Sequence, residues 1–431
     1  MTPDELGRLL GGTVTDVERM LGGASRETWA LRRDGRALVL RRDPPGAPRG
    51  GGMAREAAVI QAARMAGVPA PEVIASGPDY LVMQRLEGET IARRILRDDT
   101  FAPARERLAD QCAQALARLH AGVAPEAVAD LPVVDDVLAS IRELLDGVGE
   151  PHPALELGLL RLARARPGAV GRTVVHGDFR LGNLVVDASG LVGVLDWELA
   201  HVGDPAEDLG WLCVRSWRFG GPLPVAGVGT REQLLSSYAE AGGAVVDPAT
   251  LSWWEAVGTL RWGVICVQQA AAHLSRAVRS VELAAIGRRT AEVELDLLDL
   301  VAPAAATSPV ASPGALPTDA SPDRAGPHDR PTAEELVEAV REWVEALPLS
   351  GPDAFGQRVA TRALRIVERE LALAPELGPR HLARLAALGV RDDAELARRI
   401  RAGVDDDATV AAVREAVVDK LTVADPRLLD R

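Results

Sequence analysis

The sequence predicts an α+β protein with a small antiparallel-sheet lobe first, a larger, mostly helical lobe after it, and a separate all-helical segment at the end. Three observations predict this. Two short strand-like runs, 30–33 and 36–41, flank Asp34-Gly35, a strong two-residue hairpin signal. From about Glu232 to Val301 the apolar residues recur at helical spacing. Between them and the last hundred residues, the stretch 302–331 holds seven prolines among Ala, Ser, Thr, Gly and Asp, with no apolar period. Such a composition makes a semi-extended linker and not a packed element. The expected organisation is therefore 1–86 (sheet lobe), 87–301 (helical lobe), 302–331 (linker) and 332–431 (helical segment).

The elements follow in order. After the hairpin comes a Gly/Pro-rich segment, 44–52, and then a helix-like run from Ala54 to Ala66 that Gly67 and Pro69 stop. Tyr80 to Gln84 reads as a short strand. A long helix is expected from about Arg105 to Ala121, with Leu108, Cys112, Ala115, Leu116 and Leu119 on one face. Thr173–Val175, Leu184–Val186 and Leu191–Leu195 read as short strands around a tight loop. In the last segment Thr332 and Glu335 form a capping box, and Leu336, Val340, Trp343 and Val344 share one helix face. Regular charge alternation there suggests a small helical bundle, a candidate contact for a protein partner or a second copy.

Composition excludes several classes. With 431 residues, the chain is long enough for two to three domains at roughly 100–200 residues each. No apolar run reaches the roughly 18 residues that span a bilayer, so no membrane role is expected. The net charge of −13 argues against a nucleic-acid surface. Three widely spaced cysteines, Cys112, Cys213 and Cys266, exclude a disulfide framework and suit a reducing cytoplasmic setting. Lys420 is the only lysine, so any cationic role before it falls to arginine.

The most specific stretch is His176-Gly177-Asp178-Phe179-Arg180-Leu181-Gly182-Asn183, followed by Leu195-Asp196-Trp197-Glu198. An Asp stands five residues before an Asn, and a second Asp comes 18 residues after the first, at the end of an apolar strand. Either spacing alone fits ordinary turn residues; together they match the catalytic loop and the strand-ending metal Asp of kinases. Phosphoryl transfer needs hard oxygen ligands for Mg²⁺ and a carboxylate to orient the attacking hydroxyl and accept its proton.

These motifs resemble the aminoglycoside phosphotransferase and choline kinase family. More narrowly, they resemble the kinase-like domain found with acyl-CoA dehydrogenases, over roughly residues 5–300. The last hundred residues are similar to a small helical domain of unknown function that accompanies such kinases. The resemblance implies a bilobal protein-kinase-like fold and ATP and Mg²⁺ as cofactors. By it, Asp178 is the catalytic base and Asn183 and Asp196 are the metal ligands. Arg180 then lies within reach of the transferred phosphoryl group or of a neighbouring carboxylate, and His176 braces the loop. Gly22, Gly23 and Ser25 match the loop over the ATP phosphates. Arg41 stands where many relatives carry the phosphate-anchoring lysine; it keeps the charge with a different donor geometry. Glu56 matches the carboxylate that pairs with that cation, and the segment with Gln84 and Leu86 matches the adenine-binding hinge. Asp204 and Asp208 read as turn and helix-start residues.

On the acceptor side, six of the eight tryptophans (197, 211, 217, 253, 254 and 262) fall in or near the helical lobe. They read chiefly as core and secondarily as aromatic faces for a choline-like cation. Acids are too scattered there for an aminoglycoside wall. The resemblance implies a small-molecule hydroxyl acceptor, a hydroxylated acyl thioester or a related metabolite, whose anionic carrier would meet Arg215, Arg218, Arg261 and Arg276. The expected function is ATP- and Mg²⁺-dependent transfer of the γ-phosphoryl group. The alternatives are a catalytically silent nucleotide- or acyl-binding pseudokinase module whose tail recruits a partner, which Arg41 favours, and nucleotidyl transfer by the same residues.

Overall fold

The computed structural model describes residues 3–20, 26–43, 52–304 and 333–430. The expected phosphate loop with Gly22, Gly23 and Ser25, Thr332 of the capping box and nearly all of the Pro-rich stretch lie outside the described residues.

The chain opens with α1 (Pro3–Leu10), β1 (Val14–Met20), β2 (Glu27–Arg33) and β3 (Arg36–Arg42), then α2 (Gly52–Met65), β4 (Val73–Ser76) and β5 (Tyr80–Gln84). The five strands form an antiparallel sheet in the order β1-β2-β3-β5-β4. Strands β2 and β3 pair without interruption from Glu27↔Arg42 to Arg33↔Arg36. The hairpin closes because Asp34 (φ 49°) and Gly35 (φ 80°) both adopt left-handed backbone, as a two-residue turn of this hand requires. Alternation puts Leu38 and Leu40 on one face, where they form an apolar cluster with Leu6, Leu31 and Val82.

Helices α3 (Ala92–Arg97), α4 (Ala102–Gly122), α5 (Val137–Val148) and α6 (Pro153–Arg164) come next. The expected face of α4, with Leu108, Cys112, Ala115, Leu116 and Leu119, is buried. Four short strands follow: β6 (Thr173–Val175), β7 (Leu184–Asp187), β8 (Gly190–Val194) and β9 (His201–Gly203), paired as β6–β9 and β7–β8. The rest is helical: α7 (Ala206–Cys213), α8 (Arg231–Glu240), α9 (Pro248–Leu274), α10 (Val281–Gly287) and α11 (Thr290–Val301). The tail contains α12 (Ala333–Ala346), α13 (Gly351–Ala387), α14 (Asp393–Arg401) and α15 (Asp407–Ala424). The expected α+β order, sheet first and helices after, is thus the observed one. Among the described residues no helix is long and apolar enough to cross a membrane.

The chain divides into two compact units, Met1–Asp136 with Pro167–Gly258, and Val137–Arg166 with Thr259–Arg431. These limits differ from the boundaries that composition suggests, and the second unit shows why. Its tail helices do not bury their apolar faces only among themselves. Leu385, Leu396, Ile400, Val413 and Val417 share one cluster with Leu157 of α6 and Leu298 of α11. Asp392 and Asp406 cap α14 and α15 by accepting from the Glu395 and Thr409 amides. Of the expected α12 face, Leu336, Val340 and Trp343 are exposed and Val344 is half-buried.

Candidate active site

The described candidates for base, metal and nucleotide contacts lie in the first unit, whereas Arg261 and Arg276 of the expected acceptor side fall in the second. Strand β6 runs into the His-Gly-Asp turn, where Gly177 has φ 78° and a Cβ would stand 2.5 Å from the Leu199 carbonyl oxygen. Positive φ and close backbone approach both demand glycine there. His176 is fully buried. Its Nδ1 accepts from the Asp178 amide at 3.2 Å and its Nε2 donates to the Leu195 carbonyl at 3.0 Å, so the ring ties the loop to the end of β8.

A second brace comes from α7. Asp208, fully buried, accepts from the amides of His176 (2.7 Å) and Gly177 (2.9 Å) and meets His120 Nε2 at 3.1 Å. His120 Nδ1 in turn lies 2.8 Å from the Tyr238 hydroxyl. Burial pushes the Asp208 carboxyl up, but the His120 hydrogen bond and charge, with the loop amide, hold it below the usual carboxylate range. Sequence reasoning made Asp208 a helix-start residue; in the fold it anchors the loop. The available signal was its place, beside Glu207, at the start of an otherwise apolar short helix, where a buried acid without partners is costly. Asp204 is the turn residue expected, accepting from the Val170 and Ala206 amides.

The loop presents Asp178. One carboxylate oxygen accepts from Arg180 Nε and from Trp211 Nε1, each at 2.9 Å. The other accepts from Asn183 Nδ2 at 2.6 Å, and the same amide nitrogen reaches the Asp178 carbonyl at 3.0 Å. This commits the nitrogen side of Asn183 to Asp178 and leaves its Oδ1 as the oxygen donor. The Arg180 guanidinium also lies 4.8 Å from the Trp217 ring centre. The Leu195 amide donates to the Asn183 carbonyl at 2.8 Å, so the residue before Asp196 is fastened to the loop. Asp196 itself takes φ 66°, a conformation that costs a non-glycine residue energy and recurs at functional sites.

Arg41, on β3, joins α2 to this region. It donates to Glu56 at 2.5 Å and to Asp196 at 2.9 Å, and reaches Glu198 at 3.5 Å. Arg26 on the neighbouring segment pairs with Glu56 (2.5 Å), Glu198 (3.2 Å) and Asp43 (3.3 Å). Burial pulls the Arg41 guanidinium down, and the Glu56, Asp196 and Glu198 carboxylates more than offset it. Glu198 moves up, first through burial and then through the Asp196 charge, with Arg26 and Arg41 only partly compensating. Two guanidiniums thus face four carboxylates, Asp43, Glu56, Asp196 and Glu198. The surplus of negative charge, on oxygen donors, suits a divalent cation. Among the described residues no three His, Cys, Asp or Glu form a ready-made metal cage.

At the hinge the Gln84 amide is already paired with the Glu72 carbonyl (2.8 Å) and the Arg85 amide with Ala37 (3.1 Å). Leu86 lies against β8, so close that a Cβ at Gly193 would stand 2.1 Å from its Cδ1. Trp197, Trp211, Trp217, Trp253 and Trp254 are buried, as core residues. Arg218 is not available to an anionic carrier as expected. It donates to the Cys213 carbonyl and, at 2.8 Å, to Glu255, a buried acid that Arg231 also binds at 2.6 Å. An acid so buried needs both partners. Sequence reasoning missed Arg26, Glu198 and Trp211, whose partners lie far away in the chain.

Comparison with known proteins bears on the family and the fold. Residues 16–254, more than half of the chain, match the profile of the phosphotransferase enzyme family, and 348–428 match a domain of unknown function (DUF6285). The chain is 28% identical over 214 residues to the mouse acyl-CoA dehydrogenase family member 10, covering 44% of this chain and 20% of that one. It is 28% identical over 272 residues to the rat acyl-CoA dehydrogenase family member 11, covering 56% and 34%. The chain thus spans about a third or less of these relatives' length. Among solved structures, a Ralstonia eutropha protein assigned as an aminoglycoside phosphotransferase shares the fold. It has a TM-score of 0.56 at 20% identity, over 69% of this chain and 96% of that one. The kinase-type loop, the strand-ending acid and the matched profile together place the chain in the phosphotransferase enzyme family.

Proposed function

We propose that the protein is an ATP- and Mg²⁺-dependent small-molecule kinase that moves the γ-phosphoryl group of ATP to a hydroxyl. One observation carries this reading. Asp178 is held by Arg180, Trp211 and Asn183, and the Leu195–Asn183 backbone bond fastens that loop to the strand end bearing Asp196.

Asp178 is the base. Its carboxylate, fixed by three donors, accepts the proton of the acceptor hydroxyl as that oxygen bonds to the γ-phosphorus and the bond to the bridging β-phosphate oxygen breaks, releasing ADP. The Asn183 Oδ1 and the Asp196 carboxylate hold the cation. Mg²⁺, when bound, offsets the charge on the phosphate oxygens. Arg41, oriented by Glu56, binds phosphate, and Arg180 steadies the transferred group from the Asp178 side. Gly22, Gly23 and Ser25 are assigned to the phosphates by their sequence motif alone, and backbone groups from Gln84 to Leu86 receive adenine. Since the Gln84 amide serves the sheet, the donor to adenine comes from further along, at Leu86 or beyond. The acceptor class we favour is a hydroxylated acyl thioester, supported by the names of the dehydrogenase-type relatives. Arg41 keeps both the Glu56 and the Asp196 contacts, which favours an active enzyme over a silent module.

The test is ADP release with Mg·ATP over a panel of hydroxyacyl thioesters, amino alcohols and sugars, alongside thermal melting. Mg·ATP is expected to raise the melting temperature, and Asp196→Ala to remove the metal-dependent part. Asp178→Ala is expected to keep the shift and lose turnover; unchanged turnover would show that Asp178 is not the base. A shift with no phosphorylated product from any acceptor would favour the silent module.

A further inference from the structure

A second charged region lies wholly in the helical unit and shares no residue with the site above. A cleft of about 560 Å³ opens between α12, α13 and the end of α15, within the range of small-molecule sites. Arg358, Arg362, Arg365 and Arg369 line it from α13 at spacings of four, three and four, which sets them on one helix face. Arg427, just beyond α15, lines it too. Among its described lining residues only Glu345 and Asp425 are acidic.

The internal partners place these arginines without neutralising them. Asp425 binds Arg362 (2.9 Å) and Arg427 (2.8 Å), and Glu345 binds Arg365 (2.8 Å). Arg369 donates to the Val423 and Ala424 carbonyls at the end of α15, and Arg358 lies 5.8 Å from the Phe355 ring. Five guanidiniums therefore face two carboxylates, in a chain whose net charge is −13.

We propose that this cleft binds a small soluble molecule carrying two or more phosphate groups. Guanidinium forks match phosphate oxygens in pairs, whereas a lone carboxylate satisfies only one fork. The four arginines of α13 span eleven helical steps, about 16 Å at 1.5 Å per residue, more than one phosphate can bridge. The exposed ion pair between Arg365 and Glu345 is weak and readily exchanged for a more highly charged anion, and the buried Asp425 keeps Arg427 as a partner when Arg362 turns to that anion. Burial and the neighbouring Arg362 and Arg427 charges hold Arg369 below its ordinary value despite Asp425, so an incoming anion relieves existing crowding.

The experiment is calorimetric titration of the full chain with inorganic tripolyphosphate in EDTA, with orthophosphate and a polyglutamate peptide in parallel. Tripolyphosphate is expected to bind at one salt-sensitive site, roughly tenfold or more tighter than orthophosphate. The double variant Arg358→Gln, Arg365→Gln should weaken it by roughly tenfold, and Arg41→Gln should leave it within about twofold. Arg358→Gln alone, which breaks none of the ion pairs above, should weaken it severalfold and serves if the double variant melts early. No binding, wild-type affinity in these variants, or loss of binding in Arg41→Gln would overturn the proposal. Equal affinity for polyglutamate would overturn it in favour of an acidic peptide.

Discussion

The Arg26–Arg41 centre and the α13 cleft are built from the same side chains with opposite balance. The first sets four carboxylates around two guanidiniums. The second sets five guanidiniums around two carboxylates. The first gathers residues from just before β2, from β3 and its end, from α2 and from the turn after β8, so its balance exists only once the chain has folded. The second takes four of its cations from one helix, at intervals any helix would bring together. The difference teaches that the sign of the charge surplus, not the number of ion pairs, selects the ligand. An excess of oxygen donors favours a divalent cation, and an excess of guanidiniums favours phosphate.

That contrast can be broken or sharpened by substitution. Asp178→Ala has the largest expected effect, a loss of turnover of roughly 10²–10⁴-fold in the ADP-release assay, the range for a positioned base. Turnover close to wild type would remove the catalytic meaning of the whole acidic side. Asp208→Asn comes next. It removes the charged acceptor for two loop amides and His120 and is expected to cost about 3 kcal/mol in urea denaturation. The pH dependence has a definite sign. The folded Asp208 carboxyl is held below its ordinary value, so its stabilisation is present above about pH 4 and fades as the pH falls further. Wild type should therefore lose stability more steeply than Asp208→Asn in acid. Glu198→Gln is a smaller change that trims the acid surplus. The ligand-free protein is expected to melt slightly higher, and the gain from Mg·ATP to shrink. Smallest of all, Arg358→Gln should leave stability within about 0.5 kcal/mol, as an exposed substitution does, while weakening tripolyphosphate. A large loss of stability there would make the arginine face structural.

Much of the site was legible because its signals are local. Asp34-Gly35 announces its hairpin, and Asp178, Asn183 and Asp196 declare themselves by spacing. The partners of these groups were not legible, for a geometric reason. Trp211 reaches Asp178 across 33 residues and Arg41 reaches Asp196 across 155, separations over which no periodic pattern carries information. Arg218 shows the reverse error. The family resemblance suggested a ligand contact for it, yet the fold gives it to Glu255, because a buried acid must be paired.

By itself the sequence determined what short-range physics controls: turns that need left-handed backbone, helical and strand periods, and the spacing of the oxygen-bearing residues proposed for phosphoryl transfer. Only the tertiary structure decided which charges meet. It made Asp208 the anchor of the loop, set Arg26 and Glu198 beside Arg41, and gave the tail helices a core shared with α6 and α11. Pairing energy falls off over a few ångströms and ignores distance along the chain, so those choices follow from packing and not from order.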